Sequence, residues 1–133
     1  YQNDEIIYTL DTHFDDYLTT AEGKSLPVPH CIKGTVGHKL YGGLADALKG
    51  NLCFEKNTFP SLEMAKYLEG KDFDTIELCG LVSNICVLSN AVMAKSACPN
   101  SEIIVDSSLT AAADEEIHQK SLDVMKGLFI KVL

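Results

Sequence analysis

Arginine is absent from this chain: all eleven basic residues are lysine, and nineteen Asp and Glu residues set a formal net charge of -8. Nucleic-acid binding draws on clustered cations and favours arginine for bidentate phosphate contacts, so this composition argues against such a partner. No apolar stretch approaches the ~20 residues that a membrane-crossing helix needs, and the first residues show no basic-then-apolar leader. Neither membrane insertion nor secretion is therefore expected. Cysteine is present but unpatterned: Cys31, Cys53, Cys79, Cys86 and Cys98 are odd in number and contain no Cys-x-x-Cys pair. A disulfide framework and a thiolate zinc site are both poor fits, and a reducing cytoplasm suits these thiols better.

What is there is enough for one core. A chain of 133 residues with 46% hydrophobic residues reads as a single domain, residues 1–133, with no internal repeat, low-complexity tract or linker. It opens on Tyr1 and reaches a β-rich run almost at once, which points to a missing beginning.

Apolar patterning alternates between periods of two and 3.6. Strands are expected at 5–10, 51–55, 73–80, 102–106 and 128–133, and helices at 38–50, 62–70, 84–97 and 114–127. A Gly-, Pro- and Thr-rich loop fills the space after the first strand. Strands joined through helices require crossover connections, hence an α/β fold with a mostly parallel sheet and helices on both faces. Ligands bind such sheets beyond the C-terminal strand ends. Those positions hold Asp11 and His13, Lys56, the stretch from Leu81 to Cys86, and Asp106.

Cys86 follows a strand by a few residues, near the start of a helix at Ser83 or Asn84. Unpaired N–H groups and the helix dipole favour a thiolate there and can cradle an oxyanion; the alternative is a small apolar residue packed under the sheet. Cys79, inside the strand, reads as packing. Lys56 would lower the thiol pKa if its strand neighbours that of Cys86, and is otherwise a solvated strand-end lysine. Asp11 and His13 at one strand end, with His30 in "PVPHC", form the donor set of a catalytic divalent-metal site, Zn²⁺ first, or else are hydrogen-bonded loop residues. His38 and His118 fall in helical patterns and read as surface residues.

The stretches "LDTHF", "PVPHCIKGT", "FEKNTFPS" and "CGLVSNICVLSNAVMA", with "IIVDSSLTAA" and His118 downstream, resemble the isochorismatase-like cysteine hydrolases, within them the nicotinamidase branch. The resemblance runs from about residue 5 to the C-terminus. It implies a three-layer α/β/α, Rossmann-like sheet and hydrolysis of a small carboxamide, nicotinamide first, through a thioester. Residue by residue it implies Cys86 as nucleophile, Lys56 as the cationic member of a Cys-Lys-Asp triad, and backbone N–H groups of Ser83 and Cys86 as the oxyanion hole. It further implies a cis peptide at Val82–Ser83, metal ligands Asp11, His13 and His30, no organic cofactor, and a homo-oligomer.

Three departures stand out. The family's triad aspartate belongs to a first, central strand that is apparently missing here, so "YQND" is either a remnant of that motif without its aspartate or the tail of a preceding helix. A segment ahead of Tyr1 is therefore expected in the intact protein. "FDDYLTT" lacks the further histidine that nicotinamidases often carry, and Thr12 stands where they have Trp, which alters the expected pocket wall. Another small amide, such as a carbamoyl or ureido compound, is the nearest rival substrate. A catalytically silent small-ligand binder and a thiol redox sensor centred on Cys86 are the rivals from other classes.

Overall fold

The computed structural model describes residues 4–133. The "YQND" stretch, Asp4 apart, lies outside them. Two compact units divide the chain, residues 1–58 and 59–133. Among the described residues every strand pairing is parallel, in three ladders that form two sheets, which is the α/β arrangement expected from the alternating sequence.

In the first unit, β1 (Ile7–Asp11) pairs with β2 (Leu52–Lys56) in unbroken register from Ile7 opposite Leu52 to Asp11 opposite Lys56. Both strands thus end on a charged residue, one of each sign. The loop between them is more structured than its composition suggests. It contains a 3₁₀ turn (Tyr17–Thr19) and a short helix α1 (Ala21–Ser25), whose N-cap Thr20 accepts the Gly23 N–H at 3.0 Å. The helix expected over 38–50 is reduced to a 3₁₀ turn at Val36–His38 and a single helical turn α2 (Leu44–Ala47). Consecutive glycines break it: Gly42 takes φ +58, outside right-handed helix geometry.

The second unit contains α3 (Leu62–Leu68), β3 (Thr75–Leu81), a π turn (Ser83–Val87), α4 (Leu88–Ala97), β4 (Glu102–Ala111), α5 (Glu115–Gly127) and β5 (Lys131–Val132), with sheet order β3-β4-β5. Its core joins Met64, Ala65 and Leu68 of α3, Ala91 and Ala94 of α4, Ile103 and Val105 of β4, and Leu122 and Met125 of α5. Ser61 caps α3 by accepting the Met64 N–H at 3.2 Å, and Asp114 caps α5 by accepting that of Ile117 at 2.9 Å; each satisfies a donor the helix cannot.

Strand β4 runs past its expected end at Asp106. Leu78 pairs with Val105 and Gly80 with Thr110, so the ladder jumps five residues on β4 against two on β3. This irregularity carries Thr110 to the end of β3. Strand β5 is shorter than expected because the helical hydrogen bonding of α5 runs on, with Leu128 N–H donating to Val124 O at 3.2 Å.

Candidate functional site

In the first unit, His13 and His30 are brought together by one isolated parallel bridge. His13 N–H donates to Cys31 O at 3.0 Å and Lys33 N–H to His13 O at 2.8 Å, with Cys31 in the left-handed region (φ 48) that non-glycine residues seldom adopt. The result is a cluster in which one donor atom each of Asp11, His13 and His30 lies within 4.8 Å of the others. Tyr17, almost fully buried, packs edge-on against both rings, at 4.8 Å from His13 and 5.1 Å from His30, and donates its hydroxyl to Leu26 O at 2.9 Å. Burial first, then the Glu22 and Asp11 carboxylates, push the Tyr17 phenol above its ordinary pKa.

Glu22, which sequence reasoning missed, lies against the two histidines of this cluster. Its Oε1 stands 3.3 Å from His13 Nε2 and 3.5 Å from His30 Nε2. Yet His13 Nε2 and both Glu22 oxygens are buried without a hydrogen-bond partner, a costly arrangement for polar atoms. A divalent cation among them would resolve it. The ligand chemistry agrees: His30 Nδ1 donates to Val28 O at 2.8 Å, so the neutral ring keeps its Nε2 lone pair for the cluster. Only α1 brings Glu22 here, and α1 reaches Tyr17 because residue 23 is glycine; an added Cβ would stand 2.0 Å from Tyr17 O. A Thr-x-Glu step opening a short helix was the signal available in the sequence.

Lys56 is buried (7% exposed) at the end of β2. Its ammonium pairs with Asp11 Oδ1 and donates to Thr58 O at 3.2 Å. Solvation is not its state, and the parallel register of β1 and β2 is the reason. Asp11 retains a second carboxylate oxygen for the histidine cluster. Beside it, the buried Thr12 donates its hydroxyl to Leu10 O at 3.2 Å and lies 2.8 Å from His38 Nε2. His38 is thus a tether to the strand end, not a plain surface residue.

In the second unit, Cys86 is the fourth residue of the π turn that follows β3, and it is half-buried. None of the five cysteines, all among the described residues, forms a disulfide. Val82 O accepts the N–H of Ile85 at 3.2 Å and that of Val87 at 3.1 Å, the second being the five-residue bond that widens the turn. Such turns recur at functional sites. The cis peptide expected at Val82–Ser83 lies one bond earlier, at Leu81–Val82. Val82 is an extended cap (φ -110, ψ 155) and Ser83 already belongs to the turn, so the irregular link falls between the last residue of β3 and the cap.

Ser83 is fully buried, and its hydroxyl contacts His118 Nδ1 at 2.7 Å and accepts from Thr110 Oγ1 at 3.2 Å. His118, read from its helical pattern as a surface residue, faces the turn from α5. Asp106 lies within β4, where its carboxylate accepts from Ser108 N–H at 2.8 Å and Ser108 Oγ at 2.7 Å; these bonds lower its pKa. It is occupied locally.

A family model described as the isochorismatase domain matches residues 2–133, across both units. Among solved structures, the pyrazinamidase/nicotinamidase of Streptococcus mutans superposes with a TM-score of 0.85 at 28% identity, over 99% of this chain and 77% of that one. The nicotinamidase PncA of Bacillus subtilis gives 0.82 at 26% identity, over 98% and 75%. A pyrazinamidase of Pyrococcus horikoshii in complex with zinc shares the fold, with a TM-score of 0.79 at 20% identity over 99% and 76%. No curated protein matches the chain.

Proposed function

This chain belongs to the isochorismatase family, and on that footing we propose that it is a cysteine-dependent hydrolase of a small carboxamide, with nicotinamide as substrate. The observation that carries the nicotinamidase reading is the cluster of Asp11, His13 and His30 with the unsatisfied Glu22 and His13 atoms. The similarity to nicotinamidases of Streptococcus mutans and Bacillus subtilis supports it.

In the proposed reaction the Cys86 thiolate attacks the amide carbonyl, and the backbone N–H groups of Ser83 and Cys86 hold the tetrahedral oxyanion. Its collapse breaks the C–N bond, and the nitrogen leaves as ammonia with the proton that Cys86 gave up in forming the thiolate. Water then cleaves the Cys86 thioester to free the acid. Lys56 serves as the cationic member of the triad, its burial and pairing to Asp11 keeping the ammonium fixed. Asp11, His13, His30 and Glu22 would hold a divalent metal, Zn²⁺ in our reading. When bound, such an ion would supply a Lewis acid for orienting a heteroaromatic nitrogen or a water.

A second reading, hydrolysis of a carbamoyl or ureido compound, is favoured by Thr12. Its small side chain is turned to Leu10 O and His38, so residue 12 provides no aromatic wall. Ammonia release from nicotinamide and from a carbamoyl compound, measured in parallel, separates the two. Turnover of nicotinamide alone supports the first reading and of the carbamoyl compound alone the second. Turnover of neither overturns both.

A further inference from the structure

We propose that the Ser83 side chain and His118 are positioning residues for Cys86, forming with Thr110 a hydrogen-bond chain that clamps the turn presenting the thiol. The inference rests on Cys86 being the nucleophile and goes past that reading, which uses only the backbone of Ser83.

A serine hydroxyl has one proton and two lone pairs. Thr110 Oγ1 donates to Ser83 Oγ, which keeps its own proton and a second lone pair for the contact with His118 Nδ1, and the chain closes with the proton on either atom. Three elements meet at this one buried oxygen: the π turn, the displaced end of β4 that the ladder irregularity carries to Gly80, and α5. The other end of the same turn is held as well. Asn90 Nδ2 donates to Cys86 O at 2.8 Å and Ser89 Oγ to the same carbonyl at 3.3 Å.

Side chains therefore fix the backbone on both sides of residues 84 and 85. Thiolate and oxyanion stabilisation both depend on where backbone N–H groups point. Loosening Ser83 lets the wide turn relax and costs Cys86 its thiolate.

The test is the alkylation rate of Cys86 by iodoacetamide at neutral pH, read by peptide mass spectrometry alongside the thermal midpoint. Ser83→Ala and His118→Leu are expected to slow Cys86 about tenfold through loss of its thiolate form, with Cys53 and Cys98 unchanged. His118→Asn, which keeps a polar atom near the place of Nδ1, is expected to restore most of the rate. Wild-type Cys86 rates in both Ser83→Ala and His118→Leu overturn the proposal, as does an equal change at every cysteine with a lowered midpoint. Ammonia release by Cys86→Ala separates the two claims. Full activity there rejects the nucleophile reading whatever the alkylation rates, whereas an inactive Cys86→Ala with unaffected Ser83 and His118 variants rejects the positioning role alone.

Discussion

An added Cβ on Gly23 would stand 2.0 Å from Tyr17 O and 2.7 Å from its carbonyl carbon, both backbone atoms that cannot turn aside. Gly23→Ala must push α1 away from Tyr17, at a cost of about 1–3 kcal/mol in a thermal or urea denaturation. It must also carry Glu22 away from the histidines. Glu22→Gln makes a gentler test: it keeps the shape and removes the charge, so Zn²⁺ affinity measured against a chromophoric chelator should fall about tenfold, in the range of losses seen when a site's ligand support is altered. Unchanged affinity would remove Glu22 from the donor set. Elsewhere in the first unit, burial pushes the Cys53 thiol above its ordinary pKa, against a hydrogen bond from the Tyr8 hydroxyl that lowers it. Because only the thiolate reacts, the alkylation profile of Cys53 should be displaced to higher pH than that of a model thiol. That Asp11, His13 and His30 converge could be anticipated from the sequence because two lie at a strand end and the third beside prolines. Glu22 left only its Thr-x-Glu step as a signal, because its place beside the histidines depends on a helix contact that glycine permits.

At the scale of elements, the Asn90 side chain links the turn after β3 to the start of α3. Asn90 accepts the Ser61 N–H at 2.8 Å and donates to Phe59 O at 3.1 Å and to Cys86 O at 2.8 Å. Asn90→Ala strands these buried groups, so a loss of about 1–3 kcal/mol in stability is expected from denaturant titration. A fall in the rate of amide hydrolysis should accompany it. The long elements were legible because their periodicity and caps agree: α3 begins at Ser61 and α5 at Asp114, both capping residue types. The helix expected at 38–50 failed for the opposite reason, since its apolar spacing was interrupted by Gly42 and Gly43. The extension of β4 beyond Asp106 was hidden by polar residues. It forms through an irregular ladder whose partner, β3, is distant in sequence. His118 was misread with it, because its partner Ser83 is likewise distant.

On the scale of the whole molecule, the parallel α/β organisation followed from alternation alone, and the family match across residues 2–133 agrees with the resemblance carried by the short stretches around Asp11, His30, Lys56 and Cys86. Substrate was not legible to the same degree. It depends on the side chains around a site, which vary around a common chemistry. The central claim is that Cys86 performs the chemistry. Ammonia release from nicotinamide should therefore be compared for the wild type, Cys86→Ala and Cys79→Ala. The account predicts release at background for Cys86→Ala and near the wild-type rate for Cys79→Ala. Undiminished release from Cys86→Ala would contradict it.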